Sequence, residues 1–194
     1  TGMACLTEVS DAVRVVTACG APPVALFHCV SDYPADPADC NLTAMVTMRR
    51  AFGVPVGWSD HTMGIHVTVS AVAAGANLVE KHFTLDRALP GPDHRASLEV
   101  GELAEMVTCI REVEAAVGTG EKLRRNSEED TAQVARRSLF AALDLEPGHV
   151  LRRDDLRALR PGTGIPQNRI SDFVGRAVTR SIHAGSMLAE EDFA

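Results

Sequence analysis

The sequence predicts an α/β protein, with parallel βα units over about the first two-thirds of the chain and a small, mostly β module after them. Three observations predict it. Short apolar runs bounded by Gly and Pro alternate with stretches whose apolar residues recur at helical spacing. A polar, charged stretch over 118–137 then interrupts that texture. Beyond it, short runs are broken by the turn signals Pro147-Gly148, Gly162-Thr163-Gly164 and Gly185.

Taken in order, Leu6, Val9, Val13 and Val16 predict an amphipathic helix over 6–18. The breakers Gly20-Ala21-Pro22-Pro23 precede VALFHCV at 24–30, which reads as a buried strand. Asn41 is expected to cap a helix running to about residue 51, ended by Gly53. VPVGW at 54–58 is the second strand, its Pro tolerable only near the start. A helix over 65–74 closes at Gly75, and NLVEKHF at 77–83 is the third strand. A Pro- and Gly-rich loop leads to a long helix over 99–117, striped by Leu103, Met106, Val107, Ile110 and Val113. Strand–helix alternation with short loops means parallel strands, in either an open sheet or a barrel. Three strands do not close a barrel, so a barrel reading places further strands ahead of Thr1. Thr1-Gly2-Met3-Ala4 reads as a start in mid-domain. From 138 onward, runs at 138–143 and 173–179 suggest short strands in a module of roughly 55 residues, near the lower size limit for independent folding.

Composition narrows the function classes. The chain has 194 residues, 45% hydrophobic and 23% charged, with a net charge of −7. That charge argues against binding nucleic acid or an anionic membrane. No apolar run reaches the roughly 18 residues of a membrane span, and no signal peptide is expected. Five cysteines without a CxxC pair argue against a zinc ribbon or disulfide framework and for a reducing, cytoplasmic setting.

The chemistry-bearing residues gather at strand ends, where parallel βα folds place function. Ser31-Asp32-Tyr33-Pro34 follows the first strand, Ser59-Asp60-His61-Thr62 the second, and Glu80-Lys81-His82-Phe83 ends the third. A lone strand-end His is most often a hydrogen-bonded structural residue. Two on adjacent parallel strands, which lie about 4.8 Å apart, can converge on one metal ion. In the loop LPGPDHRAS, Pro-Gly-Pro either makes a stiff turn and nothing more, or holds the Asp93 carboxylate at the rim to accept bonds from sugar hydroxyls.

The strings HCVSDYP, FGVPVGWSDHT, GANLVEKHFTLDRALPGPDHRASLE, ARRSLFAA and RPGTGIP follow one another in that order. With them, essentially the whole chain resembles the sialic acid (N-acetylneuraminate) synthase family. The resemblance implies the last three βα units of a TIM barrel over 1–117, a linker over 118–137 and a small SAF (antifreeze-like) domain over 138–194. It also implies condensation of phosphoenolpyruvate with N-acetylmannosamine to N-acetylneuraminic acid and phosphate, by C–O cleavage at a manganese or magnesium ion. His61 and His82 match the metal ligands and, with Asp93, the catalytic set. Ser31 and Ser59 match residues near phosphoenolpyruvate, and Tyr33 and Asp93 match residues lining the amino-sugar site. Arg160 matches an SAF arginine that reaches the sugar's N-acyl group in a domain-swapped homodimer, although by itself it reads as an ordinary surface residue. Two alternatives stand beside this. One is a legionaminic acid synthase acting on a 2,4-diacetamido sugar. The other is a binding or interaction module, with residues 1–194 alone inactive and poorly soluble. An ice-binding role has little support, because Arg152, Arg153, Asp154 and Asp155 stand where a flat apolar face is required.

Overall fold

Three strands pair in parallel in the order β1 (Leu26–His28), β2 (Val56–Asp60), β3 (Val79–Lys81). The computed structural model describes residues 1–20 and 22–194 and divides into two units, Thr1–Glu121 and Lys122–Ala194. Of the breakers before β1, Ala21 lies outside the described residues.

In the first unit, α1 (Leu6–Ala18), α2 (Thr43–Phe52), α3 (His66–Ala73) and α4 (Val100–Val117) alternate with the strands. The central strand β2 is buried along its whole length. Val56 and Trp58 pack in one cluster with Met45 and Met48 of α2 and Ala71 of α3. The opposite face carries Gly57, where an added Cβ would lie 2.6 Å from the Leu78 carbonyl and 2.8 Å from the Phe27 ring. This alternation of faces decides which polar side chains meet at the strand end.

Several elements differ from expectation. β2 starts and ends two residues later than 54–58, because Pro55 offers no N–H and uses its carbonyl to accept from Leu26 N. Ser59 and Asp60 therefore belong to the ladder, paired with Glu80 and Lys81. β1 is shorter than 24–30, and Phe27 and His28 are half-buried. Asn41 does not cap α2. It adopts a left-handed conformation (φ 41°), its carbonyl accepts from Ala44 N, and Leu42 is the N-cap. α4 opens on a reciprocal bond in which Glu99 N donates to Glu102 Oε2. Of its stripe, only Met106 is buried, and Val107 is exposed.

In the second unit, β4 (Ser138–Ala141) and β5 (Leu156–Leu159) are antiparallel, and single bridges such as Val150–Ala177 and Val178–Phe193 supply the rest. Leu139, Leu145, Leu151, Phe173, Val178 and Leu188 form its core. Within 118–137, a short helix α5 (Glu129–Ala135) is tied to this module, with Gly162 N donating to Gln133 O and Arg160 Nε to Ala135 O. Phe173 ends a one-turn helix α6 (Ile170–Phe173) rather than starting a strand; Ala177 and Val178 make the bridges.

Asp155 organises the turn before β5. Its Oδ2 accepts from His149 Nε2 (2.7 Å) and Arg152 N (2.8 Å). The His149 bond, aided by Arg152 N–H and opposed by burial, holds this carboxyl below its ordinary range. A depressed value means that the stabilisation is complete above the unfolded carboxyl pKa of about 3.9 and is lost as pH falls through the folded value. Asp155→Asn is therefore expected to lower stability by about 1 to 3 kcal/mol at pH 7. The difference from wild type should shrink in strong acid. Melts at pH 7 and pH 3 check both, and a pH-independent difference would count against the bond.

Candidate functional site

His61 is the first residue past β2 and His82 the first past β3, so sheet register brings the two rings together. Their centroids are 5.4 Å apart and the planes stand at 81°. The Tyr33 ring, carried by the loop after β1, lies 4.1 Å from His61 and 5.5 Å from His82. His61 and Ser59 are buried, His82 is half-buried, and Tyr33 is exposed.

Hydrogen bonds fix the His61 tautomer. Nδ1 is 2.6 Å from Val30 O. A carbonyl only accepts, so Nδ1 carries the proton and the neutral ring turns its Nε2 lone pair outward. Ser59 Oγ lies 3.3 Å from that Nε2 but donates its single proton to Glu80 Oε1 at 2.6 Å. The lone pair stays available. A carbonyl that orients an imidazole in this way is a recurrent partner of metal-binding histidine.

On the other face of the same strand ends lies an ion pair. Lys81 Nζ is 3.0 Å from Asp60 Oδ2, with side chains 3% and 0% exposed. Asp60 Oδ1 accepts from Thr62 N and Thr62 Oγ1, both at 2.8 Å, and Oδ2 accepts from Thr68 Oγ1 at 2.5 Å. Lys81 Nζ also donates to Thr62 O at 2.5 Å. Burial pushes the Asp60 carboxyl up, but the Thr68 and Thr62 bonds and the Lys81 charge outweigh it and hold it below the ordinary range.

Asp93 is exposed and lines one open cleft with His82, Phe83, His94 and Ser97. Its carbonyl accepts from Ser97 Oγ, and the loop is anchored by His94 Nδ1, 2.7 Å from Thr84 Oγ1. Ser31 is exposed beside Gly2, where any Cβ would stand 2.1 Å from Ser31 Oγ. Arg160 belongs to the second unit, fixed to Ala135 O. The first unit thus gathers His61, His82, Tyr33 and Ser59 at one place, with Asp93 sharing a cleft with His82. Sequence reasoning missed the Ser59–Glu80 bond and the Asp60–Lys81 pair. Their signal was charge at the ends of otherwise apolar strands, Asp60 closing one and Glu80-Lys81 the next.

Two imidazoles that each bond a cation at about 2.1 Å hold their ring centres roughly 5 to 6 Å apart, so the observed spacing suits a shared ion. Among the described residues, no group of three or more His, Cys, Asp or Glu side chains is placed to hold a metal. The donor set is two imidazoles with the remaining positions open, a pattern suited to a catalytic rather than a structural ion.

A parallel βα sheet bearing two imidazoles at its carboxyl edge is followed along the chain by a small β module, and comparison with known proteins identifies the class to which this pairing belongs. The NeuB family model matches residues 1–122 and the SAF domain model residues 136–194. The chain belongs to the NeuB family. It is 41% identical over 192 residues to N,N'-diacetyllegionaminic acid synthase of Campylobacter jejuni, covering 98% of this chain and 58% of that protein. It is 43% identical over 195 residues to the synthase of the same name from Legionella pneumophila, covering 98% and 55%. The chain spans a little over half the length of these relatives. Among solved structures, the N-acetylneuraminic acid (sialic acid) synthetase of Leptospira borgpetersenii superposes with a TM-score of 0.61 at 38% identity, covering 67% of this chain and 45% of that one. No described helix is long and apolar enough to cross a membrane.

Proposed function

We propose that the chain is the C-terminal part of a nonulosonate synthase: residues 1–117 supply the last three βα units of a TIM barrel, 118–137 a linker, and 138–194 the SAF domain. In this reading the protein joins the methylene carbon of phosphoenolpyruvate to the aldehyde carbon of an open-chain amino sugar. Water adds at the adjacent carbon, and phosphate leaves with its bridging oxygen by C–O cleavage. The observation that carries the reading is the approach of His61 and His82 to 5.4 Å between ring centres at the strand ends of a NeuB-family sheet.

His61 and His82 would hold a divalent ion, manganese or magnesium, which supplies Lewis-acid polarisation of the aldehyde. Val30 O fixes the His61 tautomer that leaves a lone pair for it. Glu80 orients the Ser59 hydroxyl, whose lone pairs and position suit it to contact bound phosphoenolpyruvate, with Ser31 close to the same ligand. The Tyr33 ring walls the sugar side of the imidazoles, and the Asp93 carboxylate accepts bonds from sugar hydroxyls at the rim of the cleft. Arg160 reaches the sugar's N-acyl group across a domain-swapped homodimer. The setting is the cytoplasm, where phosphoenolpyruvate is available.

Two sugars fit. N-acetylmannosamine, giving N-acetylneuraminic acid, follows from the motifs and from the likeness to the Leptospira protein. A 2,4-diacetamido sugar, giving a legionaminic acid, is favoured by the 41% and 43% identities to two legionaminic acid synthases. Incubating the complete synthase that contains these residues with phosphoenolpyruvate, manganese and each sugar separates them. Phosphate release together with a nonulosonate from one sugar is expected. Release from neither, by protein that binds manganese, would leave only a binding module.

A further inference from the structure

We infer that the buried Asp60–Lys81 ion pair is a positioning device for the two imidazoles, setting the backbone on both sides of His61 and the end of the strand that carries His82. This rests on the reading of those rings as cation ligands.

The pair does not touch the rings; it lies on the opposite face of the sheet, toward α3. Its bonds converge on the residues flanking His61. Thr62, fully buried, has its N–H and hydroxyl taken by Asp60 and its carbonyl by Lys81. On the other side, Asp60 is itself register-paired with Lys81. His61's own carbonyl accepts from Ala35 N at 2.9 Å, and its ring Nδ1 donates to Val30 O at 2.6 Å. The His61 carbonyl, its Nδ1 and all three polar groups of Thr62 are therefore held. Because Lys81 directly precedes His82, the same ion pair locks the spacing between the two strand ends.

Stability alone does not explain the arrangement. A buried ion pair gains little over well-packed apolar residues once desolvation is counted, and replacing one with neutral residues is often harmless to folding. What a neutral pair loses is direction: a methionine and an amide do not hold Thr62 by three bonds. Groups outside the ligand shell that orient ligands typically change metal affinity by about 10- to 100-fold.

The test is the double variant Asp60→Asn/Lys81→Met in the full chain, with cobalt(II) as a spectroscopic probe and manganese for affinity. The circular dichroism and Tm should stay near wild type. Manganese Kd should rise about 10- to 100-fold, and the cobalt d–d bands should shift as the ligand geometry relaxes. A folded double variant with wild-type affinity and an unchanged cobalt spectrum would overturn the inference. Should the double variant fail to fold, Thr68→Val decides. It removes one bond to Asp60 at nearly constant volume, so weakened manganese binding supports the device, and unchanged binding removes it. Wild-type protein that takes up neither metal would overturn the cation-site reading, and this inference with it, a result distinct from either outcome in the variants.

Discussion

His61→Ala and His82→Ala, each in the complete synthase that contains these residues, are expected to abolish turnover and to weaken manganese binding by more than about 100-fold, beyond what losing an orienting partner alone costs. The two rings stand 5.4 Å apart with no third His, Cys, Asp or Glu among the described residues to make a group of three. Removing either ring leaves one protein ligand, and an alanine cannot be rescued by repacking. His28→Gln is the control. Its Nε2 is 2.9 Å from Cys40 O, and its ring packs against Trp58 on the helix side of the sheet, so metal binding should survive. Calorimetric titration with manganese and phosphate release measure both effects. Normal activity at saturating manganese in either alanine variant would reject the ligand role. Equal losses in His28→Gln would show that the alanine effects report folding rather than coordination.

Helical periodicity reads well here because a helix declares itself within a single stretch of chain. Leu6–Ala18 and Val100–Val117 lie within a residue of expectation. Strand bounds are a property of pairs. The span of β2 depends on which N–H groups find partners on β1 and β3, and Pro55 moves its start. Asn41 misleads for a related reason: its side chain suits both a cap and a left-handed turn, and the backbone took the second. At the candidate site, His61, His82 and Tyr33 were legible as polar residues at strand ends. The Asp60–Lys81 pair was not. Its two members are 21 positions apart, and only the register Asp60↔Lys81, with α3 supplying Thr68 beneath, makes them neighbours. Helix α5 was hidden by its own composition, since a charged and polar stretch reads as linker until Gly162 and Arg160 bond to its last turn.

Lys81→Met alone should be far more damaging to the fold than the neutral double variant. It leaves the Asp60 carboxylate fully buried without its counter-charge, a situation that typically costs about 3 to 5 kcal/mol. The three hydroxyl and amide donors from Thr62 and Thr68 remain, and they soften the loss without supplying a charge. In the wild type the Thr68 and Thr62 bonds, with the Lys81 charge, keep Asp60 below its ordinary range against the pull of burial, so their contribution is complete at neutral pH and fades only as pH falls through that lowered value. The variant should behave in the opposite sense. A protonated Asp60 needs no partner, so the deficit should narrow on acidification. Denaturant melts of wild type, Lys81→Met and Asp60→Asn/Lys81→Met at pH 7 and pH 5 give the comparison. The expected order at pH 7 is wild type and the double variant close together, with the single variant well below. A single variant as stable as the double would mean that Asp60 carries no charge in the folded protein. The bonds that hold Thr62 beside the imidazole would then be those of a neutral acid.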